Sequence, residues 1–310
     1  MSSAAPDENR RVPGSPPRVS IGMPVYNGAQ YLPRTIESVL SQSFRDLELV
    51  ISDNGSTDDT ERICRAYAAA DARVRYHRQP VNRGAAWNYN EVFQRAAGRY
   101  FKWAAADDVI LPQMVERCVE VLDRDPDVVV CFPKTLIIDE KDYPVRSYDD
   151  GLHLDSPAPD ERFRLLVRLL GECNAVFGVI RSDVLRRTRL IGSFIGADNC
   201  LLGELSLHGR FLQIPEELFL RRDHPKASSR NKALEAEMQF YDPRSRRRVT
   251  MPAWRGLGED LRAIARGPVG LAVKLRLWLF MLRTALGGRD EYFAELAEAV
   301  GRRRAAGKTR

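Results

Sequence analysis

Short apolar runs and amphipathic stretches alternate along the first 132 residues. Residues 19–23, 47–52, 74–77, 100–103 and 128–132 are brief and largely apolar, with little polar alternation, as strands buried on both faces should be. Between them, residues 30–41 place Leu32, Ile36, Val39 and Leu40 at helical spacing. Residues 58–70, 85–96 and 112–122 also read as helices. Thr57 is placed to cap the first of these, Gly98 to stop the second and Pro112 to open the third. Five strands alternating with four helices predict an α/β fold: a mostly parallel, Rossmann-like sheet with helices on both faces. Beyond Thr135 the pattern loosens. It predicts helices over 162–170, 198–208, 231–240 and 271–286, and strands over 175–181, 211–214 and 218–221.

In such sheets ligands bind past the carboxyl ends of the strands, and polar clusters stand there. The first strand runs into Pro24-Val25-Tyr26-Asn27-Gly28, the second into Ser52-Asp53-Asn54-Gly55-Ser56-Thr57-Asp58, the fourth into Ala106-Asp107-Asp108. Asn and Gly tolerate positive φ, so the first two clusters suit plain turns. The adjacent carboxylates of Asp107 and Asp108 repel one another and need compensation. A helix opening at Pro112 offers some. A hard divalent cation, Mg²⁺ or Mn²⁺, offers more and leaves coordination positions for phosphate oxygens. Neither G-x-G-x-x-G nor G-x-x-x-x-G-K-[ST] occurs, so dinucleotide-binding and P-loop chemistry lose their main support.

The succession PVYNG, SDNGSTDD, NRGAAWNYN and AGRYFKWAAADD resembles the family 2 glycosyltransferases, inverting enzymes of the GT-A fold, over about residues 19–132. The resemblance implies a nucleotide-diphosphate-sugar donor and a divalent metal. Pro24, Val25 and Tyr26 would line the nucleotide base, and Asp53 would hydrogen-bond it. Asn82, Gly84 and Asn90 would pass beneath the ribose and diphosphate. Asp107 would sit near the ribose or sugar, and Asp108 would hold the metal. Tyr89 stands where many members have Arg, and Ala105 where the longer motif has Asp. In the second half, Asp198 occupies the place of the catalytic base at a helix start, with Ala197 where a Glu often precedes it. Arg222 and His224 match a loop that closes on the diphosphate, His224 as third metal ligand or diphosphate donor. Asn174 is a candidate acceptor contact and, equally, a buried group that satisfies backbone. A sugar-phosphate nucleotidyltransferase would need a Gly-rich, basic loop after the first strand, which PVYNG is not. A non-catalytic nucleotide-sugar scaffold would not need Asp53, Asp107, Asp108 and Asp198 together.

Apolar residues make up 44% of the 310, enough for a sizeable core, and the net charge is +6. Residues 244–310 hold sixteen Lys/Arg against six Asp/Glu, a net +10, which leaves −4 for residues 1–243. The excess therefore belongs to the tail, and the acidic body argues against nucleic acid. Cys64, Cys118, Cys131, Cys173 and Cys200 form no C-x-x-C pair and read as small core hydrophobes. The expected organisation is a disordered tail over 1–17, a GT-A domain over 18–230 (nucleotide-sugar half 18–133, acceptor half 134–230), and a basic helical region over 231–310. The acceptor could be a saccharide, a lipid-linked sugar or a small molecule. Residues 1–17 lack a signal-peptide apolar core, so a cytoplasmic location is expected. Lys274, Arg276 and Trp278 among leucines leave two readings of 271–286: packing on the body, or peripheral contact with an anionic inner membrane face.

Overall fold

The computed structural model describes residues 15–225, 227, 230, 234–243 and 251–307. Most of the tail expected to be disordered, and residues 231–233 of the helix expected at 231–240, lie outside the described residues.

Strands β1 (Val19–Val25), β2 (Leu47–Asp53) and β3 (Val74–Arg78) run parallel, and β4 (Tyr100–Trp103) joins the other side of β1, also parallel. Every residue of β1 and β2 is buried, which is why neither shows polar alternation. Helices α1 (Leu32–Leu40), α2 (Thr60–Ala70) and α3 (Ala85–Gln94) make the crossovers. The carboxyl ends of β1, β2 and β4 therefore open on one edge. Thr57 does not cap α2: its N–H and hydroxyl reach the Asn27 side-chain oxygen, while Asp58 Oδ1 accepts from the Thr60 N–H at 3.0 Å.

The second half mixes directions. After β5 (Val109–Ile110) and α4 (Met114–Arg124) come β6 (Val128–Ile138), β7 (Pro144–Tyr148), α5 (Pro159–Leu169), a 3₁₀ turn (Asn174–Phe177), β8 (Val179–Arg181), α6 (Ser182–Leu185), α7 (Ala197–His208) and β9 (Arg210–Arg222). The sheet order is β3-β2-β1-β4-β8-β6-β9-β5, with β7 on β6 and β8 antiparallel to both neighbours. The strands expected at 211–214 and 218–221 are one strand. β9 pairs with β6 throughout, and the ladder passes from Ile214 to Glu217, so a bulge absorbs Pro215. Of the strand expected over 175–181 only the last three residues pair; Cys173, at φ +57, turns the chain into the 3₁₀ segment before them.

Four helices follow: α8 (Leu234–Tyr241), α9 (Pro252–Arg266), α10 (Leu271–Gly287) and α11 (Arg289–Gly307). Residues 302–304 fall within α11. Phe163, Leu207, Leu257, Ile264, Leu277 and Met281 form a separate small core that joins α9 and α10 to α5 and α7. Asp260 of α9 faces Gly203 and the Cys200 thiol of α7. Burial pushes its carboxyl up to about 6, against the hydrogen bond with Cys200. A carboxyl raised in the folded state stabilises fully below its unfolded pKa of ~4, and that contribution is lost as pH rises through about 6. Asp260 is partly exposed, which discounts the effect. We expect Asp260→Asn to match the wild type near pH 4 and to exceed its stability by about 1–2 kcal/mol at pH 8. Urea unfolding at the two pH values measures this; a difference independent of pH would contradict it.

Candidate active site

The sheet edge anticipated from sequence is laced together by side chains. Asn54 donates to Asn82 Oδ1 at 2.9 Å and to the Gly84 carbonyl at 3.1 Å, while its own Oδ1 accepts the Arg83 N–H. Asn82 Oδ1 also accepts the Gly84 N–H. These bonds build the turn over 82–84. Gly84 holds φ +91, and a Cβ there would stand 2.4 Å from the Tyr241 carbonyl, so both backbone and neighbour require glycine. Asn88 donates to the carbonyls of Val25 and Ser52, stapling β1 to β2 from α3. Asp53 is fully buried; Tyr76 Oη donates to its Oδ2 and the Ser56 N–H to its Oδ1, each at 2.8 Å. Tyr26, past the end of β1, is 48% exposed and is available to a flat ligand; Pro24 and Val25 are buried beside it.

A cleft of about 630 Å³ opens next to this edge. Its wall brings together Asp107 and Asp108 from the loop after β4, Asp198 from the first turn of α7, Tyr89 of α3, Arg221 and Arg222 of β9, and Glu237, Phe240 and Tyr241 of α8. Four of the residues expected from sequence thus meet here: Asp107, Asp108, Asp198 and Arg222. Pro24, Val25, Tyr26, Asp53, Asn82, Gly84, Asn90, Asn174 and His224 are not on this wall.

Asp108 is buried and accepts the Arg222 backbone N–H at 2.8 Å. Burial, then the neighbouring Asp107 carboxylate, push it up to about 7. Beneath it lies Lys102, fully buried, its Nζ donating to the carbonyls of Trp103 (2.9 Å) and Phe177 (2.6 Å). Burial pulls this ammonium down to about 8, with the Asp108 charge working the other way. His224 Nε2 lies 3.0 Å from Asp107 Oδ2, and its ring packs on Tyr31 at 4.9 Å. Hard cations of the Mg²⁺ type are held by one or two carboxylates and complete their shell with phosphate oxygens. Asp107 and Asp108 supply that donor set, and a crowded carboxylate pair is what a cation relieves, so these residues fit such a metal. Among the described residues no three His, Cys, Asp or Glu side chains converge as a ready-made cage.

Asp198 lies in the first turn of α7, which follows Gly196 at φ +79. Its Oδ1 accepts the Asn199 N–H at 3.1 Å. The buried Cys173 thiol also bonds to it, and burial followed by the Asp198 charge holds that thiol well above its ordinary value. Glu237 is raised first by burial and then by the Asp198 charge. A second carboxyl thus stands near Asp198, supplied by a helix remote in sequence.

Three of the side chains expected at the site make bonds within the protein. The Arg222 guanidinium is 1% exposed and donates to the carbonyls of Asp107 (Nε, 2.8 Å) and Asp139 (Nη1, 2.9 Å), with Nη2 on Asp142 at 2.5 Å. It is committed to protein and fastens β9 to the Asp107 loop. Asn90 clamps Ile191, donating to its carbonyl at 2.9 Å and accepting its N–H at 3.0 Å, which ties α3 to the loop before α7. Asn174 Oδ1 accepts from Arg221 at 2.9 Å, while its Nδ2 is buried with no partner among the described residues. Arg221, also bonded to Glu172, lines the cleft as well and is less buried than Arg222, 19% exposed against 1%. Lys102 was legible as a charge within an apolar strand; Glu237 had no local signal.

The sequence profile of the glycosyl transferase family 2 matches residues 20–188, and the chain belongs to that family. An uncharacterised glycosyltransferase of Rickettsia typhi is 33% identical over 128 residues, 41% of this chain and 39% of that protein. The chain thus matches about two fifths of the length of that relative. Among solved structures, S. aureus TarS 1–349 in complex with UDP-GlcNAc superposes with a TM-score of 0.67 at 15% identity, covering 91% of this chain and 80% of that one. The mannosyltransferase PcManGT from Pyrobaculum calidifontis, in complex with GDP-Man and Mn²⁺, gives 0.52 at 17% identity, covering 92% and 85%. The fold is GT-A, an α/β sheet followed by C-terminal helices.

Proposed function

We propose that the protein is an inverting glycosyltransferase that moves a sugar from a nucleotide diphosphate to an acceptor hydroxyl in glycan or glycoconjugate synthesis. The observation that carries the reading is the convergence of Asp107, Asp108 and Asp198, from opposite halves of the chain, on one cleft. The acceptor oxygen attacks the anomeric carbon from the side opposite the leaving group. Its proton passes to Asp198, and the bond from the anomeric carbon to the diphosphate oxygen breaks with its electron pair, so the configuration inverts. Cys173 and the Asn199 N–H aim the Asp198 carboxylate. His224 orients Asp107, and the Arg222 backbone N–H orients Asp108. A divalent metal bound by these two carboxylates would neutralise diphosphate charge. Tyr26 offers a stacking face to the base, while Asp53 shapes the base-side turn through Ser56 and Tyr76.

The nucleotide-sugar complexes of TarS and PcManGT support a donor of this class. A ligand that binds only the folded state raises its melting temperature. Screening UDP-, GDP- and dTDP-sugars with Mn²⁺ should give a rise with at least one donor. Asp108→Asn should remove the part of that rise that needs metal. No rise with any donor would overturn the reading.

A further inference from the structure

Helix α10 has two apolar faces, and the body covers one of them. Leu277 and Met281 are buried in the small core against α5 and α9. On the opposite side Leu271, Leu275, Leu279, Leu282 and Leu286 are exposed by 68, 53, 49, 50 and 70%. Their spacing of four, four, three and four residues sets them in one stripe along the whole helix. At 100° per residue, Arg283 and Arg276 flank this stripe on one side and Lys274 on the other. Residues 271–287 include no Asp or Glu. Packing and an unpartnered apolar face, alternatives on the sequence, therefore hold together on one helix.

We propose that the leucine face of α10 seats the protein on an anionic lipid surface. Charge selects this occupant. The stripe is edged by Arg283 and Arg276 on one side and Lys274 on the other; Arg276 also pairs with Asp160 at 3.2 Å and Lys274 donates to the Ala265 carbonyl, so Arg283 is the cation most open to headgroup phosphates beside a face that suits acyl chains. The flanking cations of a second copy would face one another across a symmetric contact. The helix lies in the surface and does not cross it. Seventeen residues rise about 26 Å, short of the ~30 Å apolar core, and no described helix is long and apolar enough to span. The inference stands on α10 alone and does not depend on the catalytic reading.

Flotation of the full chain with vesicles decides it. With phosphatidylcholine containing 30% phosphatidylglycerol at about 0.1 M salt we expect co-flotation. Binding should fall at least tenfold on pure phosphatidylcholine or at about 0.5 M salt. The triple variant Leu275→Gln, Leu279→Gln, Leu282→Gln should lose binding and keep the wild-type circular dichroism spectrum, since the replaced side chains are exposed. Arg283→Gln should weaken binding to anionic vesicles alone. Wild type that fails to float with anionic vesicles, or a triple variant that floats as well as wild type, overturns the proposal. So does a wild-type dimer in sedimentation equilibrium that the triple variant converts to monomer, because a second copy would then own the face.

Discussion

Asp198→Asn should lower nucleotide release by about 10²–10⁴-fold, the usual worth of a positioned general base. Asn keeps the shape and one acceptor oxygen for the Cys173 thiol and the Asn199 N–H, so α7 should start as before. What disappears is the capacity to take a proton. Initial rates of nucleotide release, with water or a panel of saccharides as acceptor, measure the loss. The melting-temperature rise caused by donor and metal should stay at its wild-type size, because Asp198 acts on the acceptor. Undiminished release would remove Asp198 from the base role. A lost donor response would move it to the donor side of the cleft.

Arg222→Met should destabilise the fold by about 3–5 kcal/mol, the cost of stranding buried partners of a charge. That is a large part of the ~5–15 kcal/mol that holds a domain folded. The three guanidinium nitrogens divide between two backbone carbonyls and Asp142, and Met fills the volume while returning none of these bonds. Asp142 retains Arg34 at 3.1 Å, but the carbonyls of Asp107 and Asp139 lose a charged donor. Arg222→Lys should recover only part of the loss, since an ammonium cannot serve a planar three-way fork. Arg221→Met, one residue away and 19% exposed, should cost no more than about 1–2 kcal/mol. Urea unfolding of the three variants tests the ranking. Equal stability of Arg222→Met and wild type would return Arg222 to the expected role of a free phosphate-binding cation.

The contrast between neighbouring arginines shows where reading from sequence stops. Both follow an apolar run and carry the same charge, and a β-strand sends successive side chains to opposite faces. Which face holds the buried carbonyls depends on the register of β9 against β6, which shifts at Pro215–Glu216 and again at Leu218. Asn90 was open to misreading for a similar reason: Ile191, its partner, lies 101 residues away.

The sequence alone determined the local matters. Non-alternating apolar runs specified buried parallel strands, because a strand covered on both faces has no polar side. Turn-forming Asn and Gly, and the acids at two of the strand ends, marked the edge where a ligand would bind, and the charge count confined the basic excess to the tail. Tertiary structure decided which of those groups meet. It set Asp198 and Glu237 across from Asp107 and Asp108, spent Arg222 on the protein, and left one face of α10 bare while burying the other. Such choices rest on contacts between residues far apart in the chain, and the energy of a long-range contact leaves no periodic trace in the sequence.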